Sequence, residues 1–338
     1  MKLYAGIDLH SNNSVLVISD EGDKVVYERR HPNELPVILA QLAPYKKRIQ
    51  AIAVESTYNW YWLVDGLMDH GYKVHLANPA AMKQYEGIKH RDDKWDSFFL
   101  ANMMRLKILP EGYIYPKEER SVRDLLRRRL LYVHQRTSHI LSFQSMVSRN
   151  LGIQISNNDI QKLKEEDGRR MFESSNLAFM AMNHLKTMEF LKKTIKGIEQ
   201  EVKSQAKVRN EFKILQTITG IGPILGLTIM LEVGDIRRFP TAGDYSSYCR
   251  CVKSQKISNN KKKGEGNRKN GNKYLSWAYV EAANFAIRYC PMAQRFYQRK
   301  KAKTNGVSAI KALGNKLCKA SYYMMRDQVA YDPKKLFR

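Results

Sequence analysis

Five short apolar runs in the first part of the chain constrain its fold more than any other feature. Each is too short for a helix and is bounded by turn-forming residues. Tyr4–His10 and Val15–Ile18 come first; an Asp20-Glu21-Gly22-Asp23 turn then leads into Lys24–Glu28. These three read as strands of an antiparallel meander with tight connections. Residues 33–43 carry a helical pattern, Ile49–Glu55 reads as a fourth and buried strand, a helix starts near Tyr58, and Lys73–Leu76 gives a fifth strand. A last helix opens at Asp93 and continues through Phe98, Leu100, Met103 and Met104.

The order βββαβαβα is that of ribonuclease H-like folds, and actin-like sugar kinases share its opening. The acids narrow the choice. Asp8 sits inside an apolar strand, Glu55 ends the fourth strand, and Asp93 and Asp96 lie three apart at a helix start, on one face. Singly, each fits a strand-end charge or a helix N-terminal acid beside the dipole. Together they converge on one sheet edge, where carboxylates repel unless divalent cations lie among them; hard oxygen ligands suit Mg²⁺. Two such ions about 4 Å apart stabilise the attacking and leaving oxygens of a phosphoryl transfer. Asp92, one turn from Asp96, competes with Asp93 for the ligand role.

Charge identifies the partner. The 338 residues hold 58 Lys and Arg against 33 Asp and Glu, a net +25, which favours a polyanion through counterion release. The same excess speaks against a sugar-kinase-like ATPase acting on a small metabolite, and no G-x-x-x-x-G-K-[ST] phosphate loop occurs. No apolar stretch approaches a membrane span, and the N-terminus runs straight into a strand pattern, so a soluble, cytoplasmic, nucleoid-associated protein is expected. Cys249, Cys251, Cys290 and Cys318 form no C-x-x-C pair, which speaks against a metal knuckle or disulfide framework.

From Glu118 to about Asn150 the pattern is helical, with Val122, Leu125, Leu126, Leu130, Val133, Ile140 and Leu141 as its stripe. Arg123, Arg127 and Arg128 decorate the other faces, suited to a phosphate backbone or simply solvated. Residues 159–210 form further charged helices whose apolar stripe runs from Phe179 to Ile198, suited to a packed helical pair or an oligomer contact. Beyond them, Thr219-Gly220-Ile221-Gly222-Pro223 between two helices has the form of a helix-hairpin-helix element, whose second helix could aim amides at phosphate, or of a plain helical joint.

The most biased segment runs from Arg250 to Lys273. It carries nine cations, among them Lys256, Lys261, Lys262, Lys263, Arg268, Lys269 and Lys273, against one acid, Glu265. Its Gly and Asn content predicts a mobile polar loop that wraps a phosphate backbone. Ser254 and Ser258 lie inside it. A serine there is ordinarily a phosphate hydrogen-bonder, and it becomes a nucleophile only when a base, a metal or positive charge activates it.

Gly6-Ile7-Asp8, Val54-Glu55-Ser56 and Asp93-x-x-Asp96 resemble the DEDD motif of the transposases of the insertion-sequence family numbered one hundred and ten. The Thr219–Gly222 turn, Arg237-Arg238-Phe239 and Lys269-Asn270-Gly271-Asn272-Lys273-Tyr274-Leu275 resemble its C-terminal motifs, in the right order along nearly the whole chain. The resemblance implies a mixed α/β plus α architecture: a RuvC-like DEDD domain over residues 1–115, a helical coiled-coil connector over 116–210 and a mainly helical transposase domain over 211–330. It also implies Mg²⁺ held by Asp8, Glu55, Asp93 and Asp96, and a serine, matching Ser258, that attacks DNA to form a covalent seryl-DNA intermediate. The partners it implies are donor and target DNA, a non-coding bridge RNA, and further copies of the chain in a dimer or tetramer, with the acidic site of one subunit completed by the serine of another. Ser254 competes with Ser258, because the local Ser258-Asn259-Asn260 departs from the family's common Ser-Gly. The rival readings are a RuvC-like structure-selective nuclease that uses water, and a non-catalytic nucleic-acid-binding protein.

Overall fold

The computed structural model describes residues 1–82, 92–252, 256–265 and 270–337, which form two compact units, Met1–Lys117 and Glu118–Arg338. Ser254, Arg268 and Lys269 lie outside the described residues.

The first unit is built on five strands, β1 (Leu3–Leu9), β2 (Asn13–Asp20), β3 (Val25–Pro32), β4 (Ile49–Glu55) and β5 (Val74–Ala77), in the order β3-β2-β1-β4-β5. β1, β2 and β3 form the antiparallel meander, and β4 and β5 add on in parallel through helical crossovers. Helices α1 (Leu35–Leu42), α2 (Tyr61–Asp69), the short α3 (Pro79–Met82) and α4 (Asp93–Arg105) complete the unit. The strands' two-residue period sorts their side chains by size. Leu3, Ile7, Leu9, Ile52 and Val54 pack in one cluster with Ile38 and Leu42 of α1 and Leu63, Val64 and Leu67 of α2. The opposite face is built of small residues, Ala51, Ala53 and Ala77, and against it lie Leu100, Met103 and Met104 of α4. Gly6 makes this approach possible, because a Cβ there would stand 1.9 Å from the Ser97 carbonyl oxygen of α4. With both faces covered, Val15–Ile18 of β2 is buried without alternation.

The second unit opens with two long helices, α5 (Lys117–Leu151) and α8 (Ser175–Gln205), with the short α6 (Asn157–Ile160) and α7 (Glu165–Arg170) between them. They run antiparallel, since Arg129 bonds Glu199 and His139 meets His184. Leu130, Ile140, Phe143, Leu185, Met188 and Ile195 are buried at helical spacing, as the periodicity requires. Leu141 and Phe179, read as part of the stripe, instead point outward.

The rest of this unit comprises α9 (Asn210–Gln216), α10 (Pro223–Val233), α11 (Ala242–Tyr248), a hairpin of β6 (Lys256–Ser258) and β7 (Lys261–Gly264), α12 (Lys273–Tyr289), α13 (Pro291–Lys303), α14 (Gly306–Asp327) and α15 (Pro333–Leu336). α10 is the central helix, every residue from Leu225 to Val233 being buried. Buried hydroxyls around it are satisfied: Tyr245 Oη lies 2.6 Å from Tyr279 Oη, which lies 2.5 Å from Ser321 Oγ, and Tyr322 Oη donates to the Phe239 carbonyl. No helix among the described residues is long and apolar enough to cross a membrane.

Candidate active site

The four carboxylates singled out in the sequence meet at one edge of the first sheet. Ile7 of β1 pairs with Val54 of β4, so Asp8 and Glu55 follow side by side on adjacent parallel strands. Strand alternation turns both toward the small-residue face where α4 begins. Asp92 caps that helix, its carboxylate accepting the Trp95 amide at 2.8 Å. The cap sets Asp93 and Asp96 in the first turn, and it gives Asp92 a structural role of its own at the helix start. Ser97 ties the helix to the strands: its hydroxyl donates to the Val15 carbonyl at 2.9 Å and accepts the Asp8 amide at 3.3 Å.

Asp8 is 4% exposed. Two further residues join it that the sequence reading did not select. His10 Nε2 stands 3.1 Å from an Asp8 oxygen and 3.4 Å from an Asp93 oxygen, and Arg30 reaches the same Asp93 oxygen at 2.5 Å. The His10 backbone is fixed by the side-chain amides of Asn33 and Asn59, both donating to its carbonyl at 3.0 Å. D-x-H at a strand end was a readable signal, since alternate residues share a face. Arg30, on the edge strand β3, carried no local signal.

Glu55 registers the crowding. Burial first, then its hydrogen bond and repulsion with Asp8 and the charge of Asp96, push its carboxyl up to about 8. It is held protonated near neutrality and donates to Asp8. These residues fit a divalent cation. Asp8, His10 and Asp93 offer ligand atoms all within 4.8 Å of one another, and His10 Nε2 is enclosed without a hydrogen bond of good geometry. The donor set is mostly hard oxygen, and the proton on Glu55 stands where positive charge is wanted.

Ser258 belongs to the second unit. The expected mobile loop is, over residues 256–264, an antiparallel hairpin in which Ser258 pairs with Lys261 across Asn259 and Asn260. Both asparagines have positive φ, 50° and 57°, the pattern of a two-residue turn of type I′. Exposed Ser258 thus stands beside the turn, with exposed Lys261 and Lys263 following. The base of the segment is tied shut. The Asn272 amide donates to the Tyr248 carbonyl at 2.6 Å, Arg250 Nε donates to the carbonyls of Asn270 and Gly271, and Asn315 donates to the Cys251 carbonyl. Gly271 is required here: its φ is 86° and a Cβ would stand 2.4 Å from the Tyr248 carbonyl oxygen.

Two of the expected phosphate contacts need correction. Arg123 and Arg127 do not offer free guanidinium groups, because both are held by Glu232 of α10, at 3.2 and 2.5 Å. Glu232 is 2% exposed and also accepts Asn272 Nδ2 at 2.7 Å. Of the three arginines, Arg128 is the exposed one. The signal for this network was a lone acid in the apolar run Leu225–Val233.

Comparison with known proteins places the chain among transposases. Residues 5–149 match the DEDD transposase family of IS110, and residues 212–298 match the transposase family IS116/IS110/IS902. The transposase for insertion sequence element IS1111A of Coxiella burnetii is 24% identical over 313 residues, 84% of this chain and 78% of the relative. An uncharacterized insertion element IS110 protein of Streptomyces coelicolor is 23% identical over 138 residues, 40% of this chain and 34% of the relative. The chain belongs to the IS116/IS110/IS902 family of transposases, enzymes that recombine DNA.

Proposed function

We propose that the first unit is a RuvC-like, ribonuclease H-type nuclease domain that holds Mg²⁺ on Asp8, Glu55, Asp93 and Asp96, and that Ser258 is the nucleophile that cuts DNA. The convergence of four carboxylates and His10 at one sheet edge carries the metal half of this reading. Bound there, divalent cations supply the charge that stabilises the attacking and leaving oxygens of phosphoryl transfer. The residues themselves do three things. Asp8 and Glu55 fix two oxygens on rigid strands, α4 brings Asp93 and Asp96 against them, and Arg30 and His10 orient Asp93.

For the serine half, the support is its place beside the hairpin turn among lysines. The Ser258 oxygen forms a bond to phosphorus as the bond from phosphorus to the leaving sugar oxygen breaks; the hydroxyl proton passes to a base and the sugar oxygen is protonated. The link conserves phosphodiester energy, so strand exchange needs no ATP. The family resemblance adds a bridge RNA pairing with donor and target DNA and an assembly of dimers or tetramers.

Trapping on labelled DNA tests both halves. Wild type with Mg²⁺ should yield a covalent protein–DNA adduct; Ser258→Ala should yield neither adduct nor cut DNA, and Asp8→Asn likewise. Cleavage surviving in Ser258→Ala would return the protein to a water-using nuclease, and processing intact in Asp8→Asn would end the metal reading.

A further inference from the structure

From Ala282 to Arg326 the chain contains ten Lys and Arg residues and no Asp or Glu. The segment runs through the C-terminal half of α12, all of α13 and nearly all of α14. α13 concentrates the charge on one side. Arg295, Arg299 and Lys303 follow at four-residue steps, so they line one face about 6 Å apart along the axis, and all three are exposed. Exposed Lys300 and Lys301 flank them. Among the described residues none of these five has an ion-pair partner, whereas Lys162, Lys192 and Arg237 elsewhere in the unit are paired with Asp159, Glu189 and Asp235.

Cations in the last turn of a helix complement its dipole, which accounts for Lys300, Lys301 and Lys303 but not for Arg295, a turn and more earlier. The helix is also anchored from behind. Ala293 is fully buried, Phe296 packs on Phe337 with ring centroids 5.9 Å apart, and the Lys316 ammonium lies over both rings. The outward line is therefore held on a rigid element and is uncompensated by the protein.

We propose that the Arg295–Arg299–Lys303 face of α13 binds the phosphate backbone of duplex DNA, through residues other than the four carboxylates and the Ser258 hairpin. It rests on the chain's being a DNA transposase. The face carries no aromatic side chain on which unpaired bases could stack, since Phe296 and Tyr297 are partly buried, which favours a double-stranded backbone over a single strand. It supplies grip without sequence reading.

The test is equilibrium binding of the full chain to a duplex DNA over a range of salt, with EDTA present so that no metal-dependent step intervenes. The triple variant Arg295→Gln, Arg299→Gln, Lys303→Gln should bind roughly tenfold or more weakly, and its log–log salt slope should fall by about 2.7, or 0.9 per lost phosphate contact. A control with Lys186→Gln, Lys196→Gln and Lys203→Gln removes the same charge from exposed positions on α8 and should leave the slope in place. The proposal is overturned if the two variants lose affinity equally, if neither slope moves, or if the α13 variant keeps duplex DNA and loses a structured RNA hairpin. Glutamine preserves helix propensity and the sites are exposed, so a circular-dichroism melt matching wild type separates lost contact from lost fold. Because no cleavage is read, failure of the metal or serine assignment leaves this result standing, and the reverse holds.

Discussion

The two units each enclose a glutamate, partly in the case of Glu55 and fully in that of Glu232, and they treat it in opposite ways. Glu232 in α10 is enclosed by Arg123, Arg127 and Asn272. Burial alone would raise its pKa, but the Arg127 hydrogen bond and the charges of Arg123 and Arg127 outweigh that and hold it below the ordinary glutamate value. Glu55 in β4 faces Asp8 and Asp96, so burial and repulsion act together and push it up to about 8. The first carboxylate is neutralised from within and ties helices together. The second is left short of positive charge, which is the condition of a site completed by a cation from outside. A buried acid marks a functional site when its surroundings leave it unbalanced, and burial by itself does not.

The comparison breaks most directly at Asp8. Asp8→Asn leaves the strand and its packing nearly unchanged but removes one negative charge from the proposed metal site. Strand cleavage should fall about a thousandfold or more, the scale of several kcal/mol of lost charge stabilisation. Binding to DNA in EDTA should be preserved. A gel-based cleavage assay with titrated Mg²⁺ reads both; residual activity within tenfold of wild type would remove Asp8 from the centre.

The opposite outcome is expected of Glu232→Ala. It leaves Arg123 buried without its carboxylate and should destabilise the second unit by roughly 3–5 kcal/mol. Its effect belongs to denaturant unfolding curves and should appear without DNA or metal. Wild-type stability in this variant would show that the network is replaceable and the contrast with Glu55 empty. Gly6→Ala is smaller but sits at the active edge. The new methyl meets the Ser97 carbonyl, so α4 must shift, at a cost of about 1–3 kcal/mol. The same shift carries Asp93 and Asp96 away from Asp8, so cleavage should drop more than stability does.

The first unit was legible because its signals are local. Runs such as Tyr4–His10 and Ile49–Glu55 show both their strand character and their odd acid, and D-x-x-D opens a helix whose cap is the preceding Asp92. What sequence could not show is which residues cross space to reach those acids. Arg30 meets Asp93 from the far edge strand, 63 residues away in sequence, and no periodicity encodes that. In the second unit the failure was one of sign. Arg123 and Arg127 sit among polar neighbours on a charged helix and read as outward-facing until Glu232, more than a hundred residues on, is seen to claim them. Likewise the lysine- and asparagine-rich segment read as loop by composition, whereas Asn259 and Asn260 are the residues a tight hairpin turn favours.

The most discriminating test is one of sign, because the two glutamates should give stability slopes in opposite directions. Glu55 has its folded pKa raised from 4.5 to about 8, so the folded state holds a proton that the unfolded chain has released. Its contribution is present below about pH 4.5 and is lost as pH rises to about 8. Glu232 has its folded pKa lowered, so its contribution is present above the ordinary glutamate value and is lost as pH falls through the depressed one. Metal-free melts between pH 5 and pH 8.5 should therefore show the first unit weakening with pH, and acid titration should show the second unit failing first. Glu55→Gln should flatten the first trend, since the amide keeps the hydrogen bond and cannot ionise. Saturating Mg²⁺ should flatten or reverse it too, because the cation stabilises the ionised form and displaces the proton. A first-unit melt that rises with pH in EDTA would mean that the cluster is already balanced by the protein's own cations, with His10 and Arg30 sufficient for its charge.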